Sequence, residues 1–219
     1  MADRDSPAIE AEGLHFSYGA KTVIDINHFA LARGYSKAVI GPSGCGKSTF
    51  VHLLAGLMTP TSGSIRIHGE SLGDLSEVAR DRFRGRHIGF VFQRFHLLPA
   101  LTVRKNLALA QYLAIRQQIP ERIDEMLTSL RLDNLADHRP GMLSQGQAQR
   151  AAIARALVHR PELVIADEPT SSLDDVHAME ALELLQNCAA ESGAALLVVT
   201  HDQRVLGHLD DEYPMQALA

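Results

Sequence analysis

Polar and apolar positions alternate over residues 9–16 and again over 23–31, with a break near Asn27-His28, which predicts an antiparallel pair of half-buried strands. A turn at Arg33-Gly34 then leads to the short apolar run Ala38-Val39-Ile40, and the helical spacing of Phe50-Val51-His52-Leu53-Leu54-Ala55 begins ten residues later. Residues 63–69 read as a glycine-bracketed strand, 76–86 as a short helix, and Ile88-Gly89-Phe90-Val91-Phe92 as a buried strand ending at Gln93. From Arg94 to about Met142 the period changes. Residues 102–116 and 120–132 repeat every 3.6 positions, with Thr102 as an N-cap and Pro120 at a helix start, so this stretch reads as an all-helical insertion. Strand and helix alternation then resumes: a helix over 144–159, the strand Leu163-Val164-Ile165-Ala166, a helix over 176–192, a strand over 195–199 and a short helix after His201. Alternating β and α units imply a parallel sheet wrapped by helices.

Composition changes this picture little. The 219 residues suffice for a large core, and the 46% hydrophobic and 21% charged fractions are ordinary for a globular chain. A net charge of -5 argues against a nucleic-acid binder, and the arginines between Arg80 and Arg86 read as a solvated helix face. Two cysteines without a CxxC pair, a polar start and no long apolar window lead us to expect a cytoplasmic chain that reaches a membrane through a partner. The eleven histidines show no recurring metal-ligand spacing.

The chemistry begins at Gly41-Pro42-Ser43-Gly44-Cys45-Gly46-Lys47-Ser48-Thr49, which lies between a strand and a helix, the context that makes a G-x-x-x-x-G-K-[ST] pattern a phosphate-binding P-loop. Gly41, Gly44 and Gly46 permit backbone angles that let successive N–H groups turn inward, and the helix adds its positive end. Lys47 supplies a charge to the β- and γ-phosphates, and the Ser48 hydroxyl is placed to hold magnesium. The fold class is therefore α/β: a P-loop NTPase (RecA-like) parallel-sheet core with an N-terminal antiparallel β part and an inserted all-helical subdomain. We divide the single domain 1–219 into a core of 1–93 and 143–219 and a helical part of about 94–142.

Two further motifs point to hydrolysis. Leu163-Val164-Ile165-Ala166-Asp167-Glu168-Pro169 delivers two carboxylates at the end of a strand where ligands of open α/β sheets bind. Asp167 fits a magnesium carboxylate, and Glu168 is free to polarise a water in line with the γ-phosphate. Leu143-Ser144-Gln145-Gly146-Gln147 opens a helix with Ser144 at its N-cap, a second anion-attracting end in one chain. One P-loop already serves one triphosphate, so this second site either folds back onto it or serves another copy.

On these residues the chain resembles the nucleotide-binding subunits of ATP-binding-cassette transporters over essentially its whole length. The resemblance implies that Tyr18 stacks on adenine, that residues 41–49 form the Walker A loop, and that Gln93 contacts the magnesium and the attacking water. It further implies that residues 143–147 are the signature motif, with Ser144, Gly146 and Gln147 at the nucleotide. Residues 163–168 correspond to Walker B with Glu168 as the catalytic glutamate, Ser172-Leu173-Asp174 to the D-loop and His201 to the switch histidine. Two subunits are then expected to close head to tail around two ATP molecules with magnesium, each signature meeting the other's P-loop, and to drive an integral-membrane permease from the inner face of the cell membrane. A P-loop kinase has no use for the signature or Gln93. A soluble cassette ATPase acting on nucleic acid or the ribosome is the rival class, and it usually carries two cassettes or a longer insertion.

One position departs from the family pattern: Gln145 stands where the signature usually has its first glycine, while Gly146 is kept. The resemblance also places the family's last strand near residues 212–218, with no regulatory C-terminal domain expected. Residues 89–107 most resemble the branch of lipoprotein-release, macrolide-export and cell-division ATPases, although amino-acid importers share much of the phrase Phe95-His96-Leu97-Leu98-Pro99. Apolar Phe95, Leu97 and Leu98, crowded after Gln93, mark where the permease is expected to dock.

Overall fold

The computed structural model describes residues 6–170 and 174–218. Strands β1 (Ile9–Tyr18) and β2 (Lys21–Leu31) form the expected antiparallel pair. β2, however, runs unbroken through Asn27 and His28. Those two exposed neighbours mark a slip in the inside-outside alternation. Gly13, at φ 55° between the paired residues Glu12 (with His28) and Leu14 (with Ile26), takes up the slip without ending the strand. The chain then turns at Arg33-Gly34 into β3 (Ser36–Ile40) and enters α1 (Lys47–Leu54), which begins inside the P-loop and not at Phe50. β4 (Ser62–Ile67) and β5 (Glu70–Ser71) complete an antiparallel sheet of order β2-β1-β4-β5.

After α2 (Glu77–His87) and β6 (Ile88–Val91) come the helices of the insertion, α3 (Val103–Ile115), capped by the Thr102 side chain, and α4 (Pro120–Ser129). The remaining elements are α5 (Gln145–Leu157), β7 (Leu163–Asp167), α6 (Asp175–Ser192), β8 (Ala195–Thr200) and β9 (Asp211–Pro214). β6, β7, β8, β3 and β9 lie side by side in that order, each neighbouring pair parallel.

The central strands β7 and β8 are buried on both faces, which is why they read as unbroken apolar runs. Alternate residues divide between two cores. Leu163, Ile165, Leu197 and Val199 join the antiparallel sheet and α1, while Val164, Ala166, Leu196 and Val198 join α3, α4, α5 and α6. The insertion therefore packs on the same apolar layer as α5, and Leu97 packs against that layer too.

Just past α5, His159 has both ring nitrogens shut off from solvent. Burial, reinforced by neighbouring His87, pushes its pKa down from 6.5 to about 4. The folded chain thus keeps an imidazole neutral that the unfolded chain would protonate. The associated stability, about 3 kcal/mol, is fully present above pH 6.5 and is lost as pH falls toward 4. His159→Leu should flatten this part of the stability profile: relative to the parent, its urea midpoint should gain as pH drops from 7 to 5. Parallel profiles for the two proteins would contradict this account of His159.

Candidate nucleotide site

β3 ends at the P-loop, and the loop's glycines serve two different needs. Gly44 and Gly46 sit at φ 83° and 98°, the left-handed region where a side chain is strained. At Gly46 a β-carbon would also lie 2.9 Å from both the Val23 side chain and its carbonyl. Gly41 departs from the expectation: its φ is not left-handed, and it is required for clearance, because a β-carbon there would meet the Met215 carbonyl at 2.5 Å. The C-terminal segment after β9 thus closes the back of the loop, and the Met215 N–H donates to the Ile40 carbonyl. Pro42 and Ser43 are exposed at the turn, Cys45 is buried beneath it, and Thr49 is half-buried in the first turn of α1.

Lys47 is only 6% exposed. Its Nζ donates to the carbonyls of Gly41 (2.8 Å) and Pro42 (3.1 Å) and lies 3.7 Å from Oε1 of Glu168. Asp167 closes β7 at 7% exposure, and its Oδ1 has no hydrogen-bond partner among the described residues. Burial first and the adjacent Glu168 second raise the Asp167 pKa, while His52, the Ser48 hydroxyl and Lys47 oppose the rise. A buried, underpartnered carboxylate oxygen beside a serine hydroxyl and a lysine is a donor set that fits a hard divalent cation bridging to phosphate. No group of three or more His, Cys, Asp or Glu side chains able to hold a metal alone occurs among the described residues. Any cation here would therefore need ligands of another kind, such as the Ser48 hydroxyl.

Glu168 leaves the strand at φ 51°, unusual for a residue with a side chain. Its N–H donates to the Val199 carbonyl at 2.7 Å, which turns the carboxyl toward the end of β8. There Oε2 accepts from the Thr200 hydroxyl (3.0 Å) and the His201 N–H (3.3 Å), and Oε1 accepts from Nδ1 of His201 (2.8 Å). Lys47, Ser48, Asp167, Glu168 and His201 thus converge where β3, β7 and β8 end.

The other expected residues sit on separate elements. Tyr18 is 56% exposed at the end of β1, edge-on to Phe16 with its hydroxyl on Met58. Gln93 is exposed just past β6, the strand next to β7. Ser144 caps α5 in a reciprocal box with Gln147: Ser144 Oγ accepts from the Gln147 N–H at 3.3 Å, and the Gln147 side chain accepts from the Ser144 N–H at 2.9 Å. Gly146 borders a cleft of about 400 Å³ between α5 and α6. Asp174 caps α6 through the His177 N–H at 3.0 Å, and the same carboxylate raises the pKa of the His177 ring. Ser172 and Leu173 of the expected D-loop lie outside the described residues.

Sequence reasoning missed Thr200, Asp202 and Arg204. Thr170 donates to Asp202 at 2.8 Å. Arg204 forks onto Asp202 through Nε (2.8 Å) and Nη2 (2.7 Å) and reaches Asp175 on α6 through Nη1 (2.6 Å). The Arg204 guanidinium, helped by Thr170, lowers the Asp202 pKa to about 2. The signal available was a threonine closing an apolar run, followed by His201-Asp202. Beyond Gln93, the Asn106 side chain donates to the Leu98, Leu101 and Thr102 carbonyls and accepts from the Leu98 N–H. Arg155 donates to the His96 carbonyl at 2.6 Å. This segment is pinned, not loose, and leaves Leu98 46% exposed and Phe95 half-buried.

The family described as ABC transporter matches residues 24–171. A lipoprotein-releasing system ATP-binding protein LolD from Chromohalobacter salexigens is 41% identical over 223 residues, covering 96% of this chain and 94% of that protein. The dimeric, post-hydrolysis ATP-binding cassette MJ0796 bound to ADP and Pi superposes with a TM-score of 0.86 at 32% identity, covering 95% of this chain and 94% of that one. CbiO1 from Clostridium perfringens, part of the cbiONQ transporter complex, gives a TM-score of 0.86 at 29% identity, covering 97% and 85%.

Proposed function

This chain belongs to the ABC transporter family, and from that membership we propose that its ATP hydrolysis drives a lipoprotein-releasing permease, with Glu168 as general base. It is the ATP-hydrolysing subunit of a transporter and works with membrane permease components. The observation that carries the catalytic reading is the Glu168 carboxylate, held by Thr200 and His201 within reach of Lys47. A carboxylate fixed by two donors beside the phosphate-binding lysine is placed to take a proton from a water attacking the γ-phosphate. His201 orients that carboxylate through its ring and its backbone N–H.

The P-loop residues 41–49 cradle the polyphosphate, and Lys47 balances its charge. Ser48 and Asp167, with Gln93 from the neighbouring strand end, would hold magnesium, which when bound neutralises the β- and γ-phosphates and orients them. Tyr18 offers an exposed ring to the adenine. Ser144, Gly146 and Gln147, at the N-terminal end of α5, serve the nucleotide of a second copy in a head-to-tail dimer, with Asp174 at the same junction. The helical part, residues 94–142, leads directly into that signature end. The lipoprotein cargo follows the 41% identical relative, and the cytoplasmic face of the membrane follows from the permease. No helix among the described residues is long and apolar enough to cross a membrane.

For permease docking, Phe95 and Leu98 are the available apolar groups, since Leu97 is spent on the core. A groove of about 250 Å³ is lined by Leu57, Arg84, Phe90 and Phe92, and His96, the residue between Phe95 and Leu97, meets the Phe92 ring at 5.2 Å. Leu98→Ala removes an exposed side chain and leaves the Asn106 clasp on its backbone intact. It should weaken association with the detergent-solubilised permease by roughly thirty-fold, about 2 kcal/mol for an interface anchor. Retention of the permease at the parent's affinity would place docking elsewhere.

A further inference from the structure

Gln149 lies on α5, three residues after Gly146, and is 4% exposed. Its Nε2 donates a 2.8 Å hydrogen bond to the carbonyl of Pro169, the buried residue directly after Glu168. A buried amide is costly unless paired, and this one is paired with the backbone that shapes the catalytic carboxylate. A left-handed glutamate persists only where its surroundings hold it. Three hydrogen bonds clamp this segment: the Glu168 N–H to the Val199 carbonyl, Gln149 to the Pro169 carbonyl, and the Thr170 hydroxyl to Asp202. The first and third anchor it to β8 and the segment that follows; the second anchors it to α5.

We infer that Gln149 is a positioning residue for hydrolysis: its amide holds the Glu168-Pro169 backbone so that the Glu168 carboxylate meets Thr200 and His201, and ties that carboxylate to the helix bearing Ser144 and Gly146. The inference rests on the reading of Glu168 as general base. A shift of α5 when its N-terminal end engages phosphate reaches Glu168 of the same subunit through the Gln149 bond to the neighbouring Pro169 carbonyl. The P-loop backbone is anchored by β3 and Met215, and Lys47 has the Gly41 and Pro42 carbonyls besides Glu168, so loss of the Gln149 bond should leave nucleotide affinity near the parent's.

The test is steady-state ATP hydrolysis by Gln149→Met, a side chain of similar length without a donor, run beside Glu168→Gln. The expected result is a kcat at least ten-fold below the parent with a KM for ATP within about two-fold. A merely structural glutamine would lower the melting temperature and leave kcat per folded molecule unchanged. Loss of activity in Glu168→Gln together with parental kcat in Gln149→Met overturns the role of Gln149 alone; parental activity in Glu168→Gln overturns the underlying reading. Should Gln149→Met fail to fold, Gln149→Glu decides through its pH profile. Burial raises the pKa of the new carboxyl, and its neutral form has an O–H to donate, so kcat relative to the parent should climb as pH falls from about 8 to about 6. A flat ratio overturns the inference.

Discussion

Glu168→Gln should bind ATP with the affinity of the parent and turn it over at least ~10²-fold more slowly, a loss of the size that removing a general base produces. The substitution is nearly isosteric, and its amide oxygen still accepts from the Thr200 hydroxyl or from His201, so the left-handed turn at residue 168 has what it needs to persist. What is lost is the capacity to accept a proton. Lys47 keeps its carbonyl partners at Gly41 and Pro42 and remains available to phosphate. Binding is read by nucleotide fluorescence and turnover by phosphate release. Near-parental hydrolysis would remove Glu168 from the mechanism.

Gly146→Asp should abolish hydrolysis while the chain still folds and binds ATP. Nothing lies within 4 Å of a β-carbon built at Gly146, and its backbone is not left-handed, so the substitution meets neither a clash nor strain. Its effect comes from charge. A carboxylate at the N-terminal end of α5 would stand where the partner's γ-phosphate is to be received, and two anions there repel. Gln145→Gly, one position earlier, should leave hydrolysis within a few-fold. Substantial phosphate release by Gly146→Asp would mean that this helix end never reaches nucleotide.

How much of this was legible beforehand varied with the kind of physics involved. Glycine spacing, a lysine at the helix start and two carboxylates closing an apolar strand are local signals, and residues 41–49 and 163–168 fold as those signals require. Gly41 shows the limit: its glycine was legible, but the reason for it, the Met215 carbonyl from the far end of the chain, is a tertiary contact that no local pattern carries. The break expected at Asn27-His28 failed for a similar cause, since the compensation sits in Gly13 of the partner strand. Thr200, Asp202 and Arg204 escaped notice because their roles come from meeting Glu168, Thr170 and Asp175 across the fold. Gln149 was hidden by its surroundings, one polar residue in the helix over 144–159, with nothing in its spacing to name the Pro169 carbonyl as its partner.

The central claim is that the α5 end of one copy completes the nucleotide site of another, so that ATP joins two chains. Sedimentation velocity of Glu168→Gln in saturating, magnesium-free ATP tests it most directly. The account predicts a shift from monomer to dimer on adding ATP, and a return to monomer when Gly146→Asp is combined with Glu168→Gln. A Glu168→Gln protein that stays monomeric at saturating ATP, or a dimer that survives the added Gly146→Asp, would contradict it.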